Sequence, residues 1–155
     1  KHSEKGGLVL GICNGFQILV ETGLLPGVLL RNKKLRFISK NIFLKVLNTK
    51  NKFCQKFEEK NTIKLHIAHN EGNFFANDEL LKKLEDNELI AFKYCNEQGE
   101  INSFSNPNGS SNSIAGILND NKNILGMMPH PERMIDPLLS GEDGSLLFES
   151  LIGSN

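Results

Sequence analysis

Leu8-Val9-Leu10-Gly11-Ile12-Cys13-Asn14-Gly15-Phe16-Gln17 is the stretch that decides the fold. Leu8 to Ile12 is a short, continuous apolar run, the pattern of a strand buried on both faces in a parallel sheet. From Asn14 to Thr22 the apolar residues Phe16, Leu19 and Val20 recur at helical spacing, and Gly23 followed by Pro26 stops the helix. A buried strand therefore becomes a helix at Cys13. This is the G-x-nucleophile-x-G elbow, with cysteine at its apex. So tight a turn predicts strained backbone at Cys13, and glycine at 11 and 15 because side chains there would collide with each other or with neighbouring elements. The helix N-terminus points backbone N–H groups and the positive end of its dipole at the sulfur, which favours thiolate. The N–H of Asn14 is then placed to bind an oxyanion.

A thiol nucleophile needs a base beside it. Of four histidines, His2 lies near the start of the chain, His66 and His69 lie on or just after a strand-like run, and His130 sits in Met128-Pro129-His130-Pro131-Glu132-Arg133. The two prolines are expected to hold that segment extended, so that residues two apart point the same way and Glu132 reaches the His130 imidazole. Glu132 would fix its tautomer and support its cation. The candidate catalytic residues are thus Cys13, His130 and Glu132. His66 and His69 are three residues apart with no further ligand cluster, so no metal site is expected. Cys54 and Cys95 have no catalytic context and read as packing residues.

Working outward, Arg36 to Leu47 and Thr62 to Ala68 read as strands, and Asn48 to Lys60 as a polar loop. Asn77 to Asn87 reads as a helix capped by Asn77 or Asp78, burying Leu80, Leu81 and Leu84. Leu89 to Tyr94, Ile114 to Leu118 and Asn123 to Met128 are further strands, and Ser145 to Ile152 a terminal helix. Buried strands mixed with helices indicate an α/β fold. A chain of 155 residues suits one domain, 1–155.

Lys and Arg together number 18 and Asp and Glu together 18, so the formal charge is zero. That argues against a nucleic-acid or anionic-membrane binder, which needs clustered excess base. The Lys-rich stretch from Arg31 to Lys64 reads as a solvated face. No apolar run approaches the roughly 20 residues of a membrane span, and no secretory signal pattern is present. Three well-separated cysteines in such a chain suggest reduced thiols in the cytoplasm. The chain lacks an initiating Met and begins just before a strand that should be buried, so it is expected to be part of a longer polypeptide.

Gly11-Ile12-Cys13-Asn14-Gly15-Phe16-Gln17 and Pro129-His130-Pro131-Glu132-Arg133 resemble the two signatures of class I glutamine amidotransferases. Gly23-Leu24-Leu25-Pro26-Gly27, Leu29-Leu30-Arg31-Asn32, Ile67-Ala68-His69-Asn70-Glu71-Gly72, Asn106-Pro107-Asn108-Gly109-Ser110 and Ile114-Ala115-Gly116-Ile117 are similar to the bacterial stand-alone glutaminase subunits of phosphoribosylformylglycinamidine synthase. The resemblance covers essentially the whole chain. It implies a flavodoxin-like sheet with flanking helices, whose early strands and second oxyanion N–H donor would precede Lys1. Losing one such donor typically costs about 10²–10³ in rate, so activity is assigned to the parent protein. The family usually carries Gly where Asn70 stands.

The resemblance further implies hydrolysis of glutamine through a thioester on Cys13, with Gln17 as a substrate contact and the loop Asn70 to Phe75 bordering the pocket. It implies a large ATP-dependent synthetase subunit and a small bridging subunit as partners. No cofactor is expected on this chain. ATP and Mg²⁺ would belong to the synthetase, and no G-x-x-x-x-G-K-[ST] occurs here. Two alternatives stay open on the residues. One is a γ-glutamyl hydrolase or cysteine peptidase on the same elbow; the other is an inactive docking fragment.

Overall fold

The computed structural model describes residues 1–138 and 141–153. Its strands are β1 (Val9–Ile12), β2 (Val28–Leu30), β3 (Ile38–Val46), β4 (Thr62–His69), β5 (Asn73–Phe75), β6 (Ile90–Cys95), β7 (Ile114–Leu118) and β8 (Ile124–Met127). Its α-helices are α1 (Asn14–Glu21), α2 (Asp78–Asp86) and α3 (Ser145–Ile152). Six strands form one sheet in the order β1-β8-β7-β6-β3-β4, while β2 and β5 pair as a separate antiparallel ribbon. The α/β expectation holds. The sheet is mixed, however, because β1 and β8 are its one parallel pair among the described residues and the remaining neighbours run antiparallel. β1 also ends the strand order, so only Gly11 of its four residues is buried and the others are half-buried.

Strand directions follow from the ladders. β4 is antiparallel to β3, β3 to β6, β6 to β7 and β7 to β8, so β4 runs the same way as β8 and β1. The C-terminal ends of β1, β8 and β4 therefore lie at one edge of the sheet. Ligand sites of open α/β sheets form there. In parallel register Ile12 sits beside Met127, so Cys13 emerges next to the segment that carries His130.

The core is apolar and continuous. Phe16 on α1 is fully buried and stacks on Phe74 of β5, with ring centroids 5.9 Å apart. Burying a side chain of that size stabilises by about 1.5–3 kcal/mol, which fixes α1 over the sheet. β4 alternates half-buried and buried positions along its whole length, the signature of one covered face. α2 starts where expected, with the Asn77 side chain accepting from Leu80 N at 2.9 Å. On this helix Leu84 is fully buried and Leu80 and Leu81 only partly so.

The stretch 48–60 is more than a polar loop. A 3₁₀ turn at Gln55–Phe57 drives Phe53, Cys54 and Phe57 fully into the core, and Phe57 meets Phe92 of β6 edge-on at 6.1 Å. α3 is tied to this turn, since Lys56 N donates to Ser150 Oγ at 3.0 Å and Gln55 Nε2 to Ser150 O at 2.8 Å. Among the described residues no helix is long and apolar enough to cross a membrane.

Candidate active site

Cys13 sits at the head of α1 with φ 51° and ψ −106°. Positive φ in a residue other than glycine is strained, so the elbow predicted from Gly11 to Gly15 is present. Cys13 N donates to Met127 O at 2.8 Å, which pins the apex to the end of β8. The two glycines are not equivalent. A Cβ on Gly11 would lie 2.4 Å from Leu19 Cδ1 and 2.7 Å from Gly15 O, so that site admits only glycine without rearrangement. A Cβ on Gly15 would meet nothing within 4 Å, which corrects the expectation that both positions are crowded.

The Cys13 thiol is also more protonated than the helix-dipole argument suggests. Burial pushes it up from 9.0. The Asn14 backbone N–H and the Arg133 charge pull the other way without reversing that shift, and Glu132 adds to it. Desolvation of the charged form outweighs the helix N-terminus here. At rest the sulfur is a thiol, 3.8 Å from Ala68 O.

His130 reaches the site by a different route from the one expected. Pro131–Arg133 is a 3₁₀ turn rather than an extended run, closed by Met134 N to Pro131 O at 3.0 Å. Glu132 still meets the imidazole, with Nδ1 and Oε1 2.6 Å apart. The turn folds the carboxylate back onto the ring, so the contact does not depend on the two-residue alternation of a strand. His130 N donates to His66 O at 2.7 Å, which fastens the turn to β4. The other ring nitrogen, Nε2, is buried and has no hydrogen-bond partner among the described residues. Cys13 and His130 line one cavity of about 450 Å³ together with Asn14, Gln17, Asn70, Glu71 and Arg133. Gln17 stands at the wall, with its Nε2 donating to Glu21 Oε1 at 2.9 Å.

Of the loop Asn70 to Phe75, only Asn70 and Glu71 line the cavity, because Asn73 to Phe75 are strand β5 paired with β2. Asn70 and Glu71 are held from behind by a buried polar network. Asn32 Oδ1 accepts from Gly72 N at 3.1 Å and pairs with His69 Nδ1 at 3.0 Å, while Asn32 Nδ2 donates to His69 O at 2.9 Å and Arg36 O at 2.8 Å. Asn108 Nδ2 donates to Gly72 O at 2.7 Å and to Tyr94 Oη at 3.2 Å. Asn32, His69, Asn108 and Tyr94 are all buried. A Cβ on Gly72 would come within 2.3 Å of the His69 ring, so glycine lets the loop close over the imidazole.

Burial drives the His69 pKa down from 6.5 to about 4, with His130 adding to the shift, so His69 is neutral at physiological pH. His66 and His69 project from opposite faces of β4 to separate partners, Ser39 and Asn41 for His66 and Asn32 for His69. Among the described residues no group of three His, Cys, Asp or Glu is arranged to hold a metal ion. Cys54 and Cys95 are buried and free, away from the cavity lining.

Fold and site define a class, an α/β domain with a cysteine at a nucleophile elbow and a carboxylate-held histidine at the same sheet edge. Residues 1–141 match the profile of the CobB/CobQ-like glutamine amidotransferase domain. The chain belongs to that family. It is 59% identical over 152 residues to phosphoribosylformylglycinamidine synthase subunit PurQ of Pelagibacter ubique, covering 98% of this chain and 66% of that protein. It is 50% identical over 154 residues to the subunit of the same name from Gloeobacter violaceus, covering 99% and 66% respectively. Among solved structures it is similar to a chain of PurLQS from Thermotoga maritima, with a TM-score of 0.81 and 38% identity over 97% of this chain and 63% of that one. The chain thus spans just under two thirds of the length of the relatives it matches.

Proposed function

We propose that residues 1–155 form a single glutamine amidotransferase domain within the glutaminase component of phosphoribosylformylglycinamidine synthase. In this reading it hydrolyses glutamine to glutamate and supplies ammonia for purine biosynthesis. One observation carries the proposal. His130 has Nδ1 engaged by Glu132 and Nε2 unpartnered, in the cavity that Cys13 also lines. An imidazole so arranged can take a proton on one nitrogen while its other N–H stays held.

Because burial keeps Cys13 protonated, the thiol proton passes to His130 as sulfur attacks the side-chain amide carbon of glutamine. The Asn14 N–H steadies the oxyanion. Collapse breaks the C–N bond, His130 returns the proton to the leaving nitrogen, and ammonia departs from a γ-glutamyl thioester on Cys13. Water, deprotonated by His130, then releases glutamate and restores the thiol. Glu132 holds the tautomer and balances the imidazolium. Gln17 contacts the substrate once it turns from Glu21.

Ammonia protonated in water is no nucleophile, so it is used inside an assembly. The partners are a large synthetase subunit, which supplies ATP and Mg²⁺ chemistry, and a small bridging subunit. The names of the PurQ relatives and of the PurLQS structure support this. This chain needs no cofactor, and the cytoplasm is its place of work.

The test is covalent labelling of the complete protein, assembled with its synthetase subunit, by a glutamine-analogue electrophile. Modification confined to Cys13 and lost in Cys13→Ser is expected. An unlabelled Cys13 in that complex would overturn the reading.

A further inference from the structure

Between Arg31 and Phe57 the chain carries nine Lys and Arg residues and no Asp or Glu, although its formal charge is zero. Three of those cations, Lys33, Lys34 and Lys40, line one cavity of about 620 Å³ together with Ser103, Phe104 and Asn106, and no carboxylate lines it. Among the described residues none of the three ammonium groups makes a hydrogen bond or ion pair. The backbone beneath them is fixed. Leu35 N donates to Asn32 O at 2.7 Å and Asn32 Nδ2 to Arg36 O at 2.8 Å, which closes the turn that carries Lys33 and Lys34. Lys33 N donates to Asn108 O at 2.9 Å, and a Cβ on Gly109 would lie 2.8 Å from Lys33 Cβ, so glycine lets the two turns pack together. Lys40 lies on the face of β3 that buries Ile42, Leu44 and Val46 further along the strand.

Phe104 is 98% exposed, yet its backbone is tied down. Asn102 Oδ1 accepts from Phe104 N at 3.0 Å and from Ser105 N at 2.9 Å, and Ser105 Oγ donates to Asn102 O at 2.9 Å. A closed turn therefore presents the ring to solvent. The ring also borders a second cavity of about 340 Å³, lined again by Lys40 and by Asn41, Asn96 and Asn102. An open aromatic face, amide side chains beside it and three unpaired cations match a ligand with a flat heteroaromatic base at one end and clustered phosphates at the other. We propose that this surface binds a free nucleoside di- or triphosphate, with the base against Phe104 and the phosphates on Lys33, Lys34 and Lys40. A polyphosphate gathers its charges within one cavity, whereas an acidic peptide spreads carboxylates along about 3.3 Å of chain per residue. Both cavities fall within the roughly 300–1,000 Å³ of small-molecule sites, which favours a free nucleotide over a nucleic-acid strand. They share no lining residue with the cavity of Cys13 and His130, so the site is separate from the glutaminase chemistry.

The test is equilibrium dialysis of the complete chain, without its synthetase subunit, against ADP, pyrophosphate and adenosine, in the absence of Mg²⁺. Saturable binding of ADP is expected, weakening as salt is raised. Phe104→Ala should weaken ADP about 10-fold and leave pyrophosphate unchanged, because only stacking is removed. Lys33→Gln combined with Lys34→Gln should weaken ADP and pyrophosphate alike, by about 10- to 100-fold, and leave adenosine unchanged. Lys40→Gln should act in the same direction. Denaturation midpoints should stay as they are, since all four side chains are exposed.

No saturable binding of ADP by the unaltered chain overturns the proposal. So does an affinity for ADP that neither Phe104→Ala nor the lysine variants change, or a pyrophosphate affinity equal to that for ADP, since a bare anion site needs no ring. A single-stranded oligonucleotide that binds more tightly than ADP, and is weakened by the same variants, overturns it in favour of nucleic acid. Loss of assembly with the synthetase subunit in those variants, with no nucleotide bound, overturns it in favour of an acidic protein partner.

Discussion

On one wall of the cavity, Cys13 is placed by strained backbone and apolar packing; on the other, Asn70 and Glu71 are placed by hydrogen bonds among buried polar side chains. The elbow tolerates φ 51° at Cys13 because Gly11 lets Leu19 and the Gly15 carbonyl close in, and because Phe16 is locked in the core. The opposite wall is flanked by buried Ile67 and Phe74, but the turn between them is held by polar side chains. Asn32 alone joins four polar groups, and each would be left without that partner if Asn32 were removed. Packing is non-directional and forgiving of small shifts. A buried polar network is directional, and losing one member leaves the others desolvated and unpaired. The two walls should therefore fail differently.

Asn32→Ala should do the most damage, destabilising by about 3–4 kcal/mol as several buried polar groups lose their partner. Chemical denaturation of the purified complex measures it, and a loss below about 1 kcal/mol would mean that water replaces the side chain. Gly11→Ala comes next, at about 2–3 kcal/mol from overpacking against Leu19 and the Gly15 carbonyl. It should also reduce labelling of Cys13, because the elbow must move to admit the methyl group.

His69 gives a pH-dependent effect of intermediate size. Its folded pKa, about 4, lies below the 6.5 of the free side chain. Between those values the unfolded chain binds a proton that the folded chain does not, so stability is fully present above 6.5 and falls as pH drops toward 4. In His69→Gln that component of the acid limb should disappear, which denaturation midpoints at pH 7 and pH 4.5 can compare. An unchanged slope would show that His69 charges in place. Gly15→Ala should change least. An alanine in open space on α1 alters stability by less than about 1 kcal/mol, toward greater stability. Thermal melting of Gly11→Ala and Gly15→Ala side by side tests the asymmetry of the elbow directly.

The same contrast explains what could be read from the residues alone. β3 and β4 were legible because their apolar residues alternate, β6, β7 and β8 because they are short, nearly continuous apolar runs, and α1, α2 and α3 because theirs recur at about 3.6; each of these patterns is local. The elbow was legible because strand, turn and helix are contiguous. Cys13, His130 and Glu132 were identifiable as reactive types in motifs, although the 3₁₀ turn that unites His130 with Glu132 was not. The β2–β5 ribbon escaped notice because three-residue strands carry too little pattern. Phe53 and Phe57 were hidden in a polar stretch whose core contacts come from β6, far along the chain. Strand order and the single parallel pair were beyond reach for the same reason. The roles of Asn32 and Asn108 were not visible in composition or periodicity; the segments that contain them stood out only through family resemblance. A buried asparagine looks like a loop asparagine until its partners are in place.

The protonated state of Cys13 has a consequence for life in the cell. Oxidants and stray electrophiles react with thiolates far faster than with thiols. With Cys54 pushed up to about 12 and Cys95 to about 11, and with Cys13 raised by burial, the sulfurs of this chain keep their protons at neutral pH. For Cys13 that burial slows oxidation of the resting sulfur.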